Sequence, residues 1–86
     1  MIRRGSYVIS LKGHDTGRIY LVTEVNGAEA YVSDGREHRL SRPKRKNIKH
    51  IFPILDEYLE DPTVITDGVL RKLLKEKGNI YDSIIN

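Results

Sequence analysis

The stretch RLSRPKRKNIK, Arg39 to Lys49, holds six basic residues: Arg39, Arg42, Lys44, Arg45, Lys46 and Lys49. No acid occurs from His38 through Leu55. Such a run is either a solvated charged face or a surface that holds phosphates. Arginine forks onto a phosphate through two N–H groups, whereas lysine acts as a point charge. Pro43 pushes Arg42 into an extended conformation and stiffens the segment, and an ordered basic loop loses less entropy on binding. Lys44, Arg45 and Lys46 are consecutive, charged and read as loop. They are therefore expected to be removable together without harm to the fold. Asn47 and His50 could add hydrogen bonds to sugars or base edges. For His50, packing beside Ile48 and Ile51 is an equal alternative.

Other chemistry is weaker. His14-Asp15 in a glycine-flanked loop is a poor acid–base or metal signal, and Asp15 reads as a turn residue bonding nearby backbone. The three histidines lack ligand spacing, and with no cysteine there are no thiolate sites and no disulfides. Gly13 and Gly17 form no P-loop, because no Gly-Lys-Ser/Thr follows them. The serines Ser10, Ser33 and Ser41 sit in no nucleophile motif. We expect no enzyme, no metal and no cofactor.

Eighty-six residues with 38% apolar and 31% charged side chains fit one small folded domain. The net charge of +3 conceals an asymmetry. Residues 1–50 carry eleven Lys/Arg and five Asp/Glu, giving +6, and residues 51–86 carry four and seven, giving −3. A polyanion would favour the basic half. There is no apolar run long enough for a membrane span and no secretory leader, so a cytoplasmic location is expected.

These residues need a scaffold. Ser6–Leu11 is rich in β-formers between Gly5 and Gly13. Arg18–Val25 alternates, with Ile19, Leu21 and Val25 on one side and Arg18, Tyr20 and Glu24 on the other. Asn26-Gly27 predicts a two-residue hairpin turn pairing Val25 with Ala28 and Leu21 with Val32, so Ala28, Ala30 and Val32 would join Ile19 and Leu21. That register also sets Glu24 opposite Glu29. Tyr20 and Tyr31 would share the outer face, either open for base stacking or under a docked helix. Asp34-Gly35 marks a second turn leading into Arg36–Leu40. Asn47–Phe52 is a last strand or one tight helical turn. Four or five short strands with tight turns suggest a small curled β-barrel over residues 1–52.

Residues 53–86 read as an extension. Ile54–Tyr58 is ambiguous, with a short helical turn as one reading. Asp67 is a candidate N-cap for a helix over 68–77, with Val69, Leu70, Leu73 and Leu74 on one face, Gly78 as C-cap and Lys75 and Lys77 at its negative end. Ten residues are too few to stand alone, so the helix is expected to dock. Its surroundings are acidic, which argues against a role in reading RNA. Asp56, Glu57, Glu60 and Asp61 could meet a partner or fold over the basic loop.

The order of motifs also carries a resemblance. Tyr7 to Ser33, with the loop KGHDTG and Gly17 followed by RIYLVTEVNG, resembles a KOW motif. The continuation DGREHRLSRPKRKNIKHI is similar to bacterial KOW-domain RNA-binding proteins, relatives of large-subunit ribosomal proteins of the archaeal–eukaryotic "fourteen-e" group. The resemblance covers roughly residues 3–52, and TDGVLRKLLKE is similar to the family's terminal helix. It implies a mainly β fold, an SH3-like barrel with a short C-terminal α-helix. It also implies a partner, ribosomal RNA of the large subunit, met on the ribosome or during its assembly. Carried onto this sequence, it points to Gly17 and Arg18 in the KOW loop and to Arg42, Lys44, Arg45, Lys46, Asn47, Lys49 and His50 in the basic segment. Lys12, at the head of the loop, and Arg39, at the head of the run, complete the candidate RNA contacts. KOW barrels also dock proteins, so a protein-interaction module of the transcription or translation machinery is the alternative. Beside ribosomal RNA, contacts to ribosomal proteins through the C-terminal segment are also expected.

Overall fold

The computed structural model describes residues 1–85. Five strands, β1 (Ser6–Ser10), β2 (Ile19–Asn26), β3 (Glu29–Ser33), β4 (Lys44–Asn47) and β5 (Ile51–Tyr58), precede one helix, α1 (Asp67–Ile85). The strands form a single antiparallel sheet in the order β4-β3-β2-β1-β5. The fold is thus mainly β with a C-terminal helix. The sheet is not closed, yet its two edge strands follow one another in the chain. Only the 3-10 turn Ile48–His50 separates β4 from β5. Three residues cannot cross a flat five-stranded sheet, whose strands lie about 4.8 Å apart. The sheet therefore curls until its edges approach.

Curling gives the sheet two buried faces. The concave side holds Val8, Tyr20, Val22, Ala30, Val32 and Ile51, and the other side packs Tyr7, Leu21 and Ile54 against Leu70 and Leu74 of α1. Tyr20 is fully buried inside the curl, not on an outer face. The predicted register fails for an identifiable reason. The turn closes around Gly27-Ala28, with Asn26 opposite Glu29 and Val25 opposite Ala30. A bulge at Thr23 then brings Val22 opposite Val32, and Leu21 opposite Ser33. The extra residue switches Val25 to the face of Tyr20 and Val22, as one bulged residue must. Glu24 now faces Tyr31 and not Glu29, so that repulsion does not arise.

Two further segments left open by the sequence are settled. Ile54–Tyr58 is strand, part of β5, so residues 53–58 belong to the sheet. Pro53 is tolerated because β5 is an edge strand, where a missing N–H leaves no neighbour unpaired. Arg36–Leu40 is loop. The Asp34 Oδ1 atom accepts from the Arg36 and His38 amides at 2.9 and 3.0 Å and winds that loop tightly.

The helix begins and ends elsewhere than expected. Thr66 caps it, its Oγ1 accepting from the Val69 amide at 3.2 Å, while Asp67 Oδ1 accepts from the Leu40 amide at 2.8 Å. Gly78 does not stop it. The helix runs through Gly78, which is buried against β2: a Cβ there would stand 3.1 Å from Ile19 Cδ1. Glycine is kept for close approach of helix and sheet. Lys75 and Lys77 are consequently mid-helix. Lys77 pairs with Glu57 of β5 at 2.9 Å and lies over the Tyr7 ring at 5.5 Å, fastening α1 to the sheet. The acids of residues 56–61 do not cover the basic run in these contacts. Glu57 holds Lys77, and Asp61 holds Arg4 at 3.2 Å. Among the described residues no helix is long and apolar enough to cross a membrane.

Candidate nucleic-acid interface

The loop between β1 and β2 folds back on itself. Ser10 and Arg18 pair through the Ser10 amide at 2.9 Å, and the Gly17 amide donates to the Ser10 carbonyl at 2.8 Å. Gly17 has φ +89, and no atom lies within 4 Å of where a Cβ would stand. The glycine is required by its backbone and leaves an open surface. Its own N–H is already committed, so a phosphate there would meet the Cα and not a free donor.

This loop turns Asp15 inward, where the carboxylate is 7% exposed. Oδ1 accepts from Ser10 Oγ at 2.9 Å and Lys46 Nζ at 3.1 Å, and Oδ2 accepts from Tyr20 Oη at 2.8 Å and Lys44 Nζ at 3.1 Å. Asp15 is therefore the hub of a network, not a turn residue serving nearby backbone. Burial alone would raise its pKa. The bonds from Tyr20, Lys44, Ser10 and Lys46 outweigh burial and hold the carboxyl far below the usual carboxylate range. Tyr20 is pushed well above the usual phenol range by burial and by its bond to Asp15.

Lys46 is the main correction to the basic run. It is 9% exposed, and its three N–H groups reach Asp15 Oδ1, Ser10 Oγ and the Lys12 carbonyl at 3.1, 3.0 and 3.1 Å. No donor is left for a ligand. Lys44 shares its face and its carboxylate but stays 34% exposed, so it keeps one side toward solvent. The physical reason is the strand. Residues 44–47 form β4 and not a loop, and alternation sends Lys44 and Lys46 inward and Arg45 and Asn47 outward. The three consecutive cations are thus not jointly dispensable for the fold.

The other candidates divide by partner. Arg45 Nε pairs with Glu29 across β3 and β4 at 3.2 Å, both exposed. Arg18 lies between Glu37 at 3.3 Å and Asp34 at 3.7 Å. Asn47 Oδ1 accepts from the Lys49 amide at 2.9 Å and caps the 3-10 turn. His50 is half-buried, and its carbonyl accepts from the Leu11 amide at 2.8 Å. That bond sets the turn carrying Lys49 beside the loop carrying Lys12. Lys12, Arg39, Arg42 and Lys49 are exposed and, among the described residues, have no carboxylate partner. Arg39 and Arg42 share a turn, the Arg42 amide donating to the Arg39 carbonyl at 2.9 Å.

Asp15, Lys44 and Lys46 sum to one net positive charge, so even the buried cluster adds to a cationic rim. Two sequence signals could have exposed Asp15. It is the sole acid among the first twenty-three residues. The extended chain after Pro43 also places Lys44 and Lys46 on one face. Among the described residues no group of three His, Cys, Asp or Glu is placed to hold a metal. No family model matches the chain, and no curated protein matches it significantly.

Proposed function

We propose that this chain binds RNA through the rim formed by the β1–β2 loop, the Arg39–Arg42 turn and the 3-10 turn after β4. The partner we favour is folded ribosomal RNA of the large subunit, in the cytoplasm. On this reading the curled sheet is an SH3-like barrel of the KOW type, since its two edges are joined by one short turn. The observation that carries the proposal is the set of exposed cations without carboxylate partners among the described residues, Lys12, Arg39, Arg42 and Lys49. Lys12 stands on a loop held by the buried ion cluster, Arg39 and Arg42 on a turn tied to Ser33 and Asp67, and Lys49 on a turn capped by Asn47, so little order has to be gained on binding. Lys44 contributes its exposed side. Lys46 and Asn47 act from behind, by fixing the strand and the turn.

About four phosphate contacts at this rim contribute roughly −3 to −4 to the log–log salt slope. Raising salt fourfold should then weaken binding by at least about 100-fold. The test is the fraction of protein sedimenting with large ribosomal subunits across a salt series. Steep release with salt is expected. Absence from ribosomal fractions at low salt would overturn the ribosomal reading. One observation favours protein docking instead: Phe52 and Tyr58 are exposed on the open β5 edge, beside Asp56 and Glu57. Binding that ignores salt would move the assignment there.

A further inference from the structure

Helix α1 carries a second cationic surface that the basic run does not predict. Its buried face holds Leu70, Leu74 and Gly78. The face turned away from the sheet holds Arg71, Lys72 and Lys75. Together with Arg36 from the loop after β3 they line a cleft of about 460 Å³, floored near Thr66 and Val69, that contains no carboxylate. A neighbouring cleft of about 400 Å³ shares Arg36, Arg71 and Lys75 and opens toward Arg18. The acids at that end, Asp34 and Glu37, already face Arg18.

The walls of the cleft are fixed. Arg71 donates to the Gly35 carbonyl at 2.7 Å, and the Leu40 amide donates to Asp67 Oδ1 at 2.8 Å. Gly35 presses so closely on the first turn of α1 that a Cβ would meet the Asp67 carbonyl oxygen at 2.6 Å. Loop and helix are thus stitched together by backbone contact. The cations between them lack counter-ions. Arg36, Arg71, Lys72 and Lys75 make no ion pair among the described residues, and the adjacent Glu76 is turned to Lys77 at 3.5 Å. Arg71 and Lys75, four apart, and Lys72 and Lys75, three apart, are like charges at the spacings that repel on a helix. An anion in the cleft would relieve that repulsion.

The same loop carries Arg39 and Arg42 onward to β4. We infer that the cleft between the Gly35–Leu40 loop and α1 holds RNA backbone phosphates, extending the RNA track from the β4 rim onto the helix. This rests on the RNA-binding reading above. It departs from the expectation that the helix only docks: one face docks while the other binds.

The test uses the full chain and a fluorescein-labelled, mixed-sequence RNA duplex, with anisotropy read over a salt series. The variant is Arg36→Ala, Lys72→Ala, Lys75→Ala. Arg71 is left in place because it holds the cleft wall. Removing three phosphate contacts should flatten the log–log slope by roughly 2 to 3 and weaken binding at low salt by at least about tenfold. The charge-keeping variant Arg36→Lys, Lys72→Arg, Lys75→Arg should keep the parent slope, and circular dichroism should show both variants folded. A parent that binds with a slope the alanine variant leaves unchanged overturns the helix site alone. A parent that fails to bind the duplex or a folded ribosomal RNA fragment overturns both readings.

Discussion

Lys46 and Lys49 stand three residues apart in the same basic run, and the fold uses them oppositely. Lys46 points under the sheet, spends every N–H on Asp15, Ser10 and the Lys12 carbonyl, and is nearly enclosed. Lys49 sits on the 3-10 turn, exposed, with no carboxylate partner among the described residues. One lysine is internal wiring for the surface that the other presents. A run of positive charge is therefore not one functional unit. Strand alternation divides it into positions that build the site and positions that meet a ligand.

The sharpest way to break this contrast is to remove the buried carboxylate. Asp15→Asn leaves two ammonium groups converging on a neutral amide, one of them enclosed. Removing one partner of a buried pair costs about 3–5 kcal/mol. Urea unfolding should show a loss of that order, and a variant as stable as its parent would end the buried-hub account. Next in size is Lys46→Ala. Asp15 keeps Lys44, Ser10 and Tyr20, so the loss should be smaller, about 1.5–3 kcal/mol.

The network also sets a pH window. Asp15 is depressed in the fold, so its contribution is present above the ordinary carboxylate pKa of about 3.9 and is lost as pH falls below it. Tyr20 is raised, so its contribution is present below the ordinary phenol pKa of about 10 and is lost as pH climbs past it. Melting temperature against pH should fall at both ends. Tyr20→Phe should cost about 1.5 kcal/mol at neutral pH through the lost bond to Asp15. It should also flatten the alkaline fall. An alkaline limb as steep as the parent's would assign that limb to other groups.

The smallest effect on stability sharpens the other side. Arg42→Ala with Lys49→Ala should move stability by no more than about 0.5 kcal/mol per site. RNA affinity should fall, with a salt slope shallower by roughly 2. Unchanged affinity in this pair would remove the rim as the contact surface.

What could be read in advance followed local chemistry. A tight β2–β3 hairpin, the turn at Asp34-Gly35, the β-rich first half and the docked helix were legible because two or three neighbouring residues dictate them, although the hairpin turn falls one residue later, on Gly27-Ala28. Gly17, singled out in the sequence only by the resemblance, has the positive φ that favours glycine. What stayed hidden depended on distant partners. The Thr23 bulge exists because Tyr20, Val22 and Val25 must share the concave core, a demand set by the whole sheet. Gly78 looked like a stop because its reason for being glycine, Ile19, lies on β2. Lys46 looked like surface because its carboxylate is thirty-one residues away. Arg36 met Arg71, Lys72 and Lys75 only through the loop-to-helix stitching.

The same separation in sequence has a kinetic meaning. The bonds of Lys46 span 31 to 36 residues, whereas the β2–β3 hairpin closes across a two-residue turn. Local hairpins close early and cheaply, and contacts across long loops pay their closure entropy first. The lysine can reach Asp15 only after β1, β2, β3 and β4 lie side by side, so the cluster should close after the folding barrier has been crossed. It then acts as a latch on the finished molecule. Lys46→Ala should leave the folding rate nearly unchanged and speed unfolding, because contacts absent from the transition state act on the unfolding limb. Stopped-flow chevrons would show this, and a slowed folding arm would instead place the ion cluster in the nucleus.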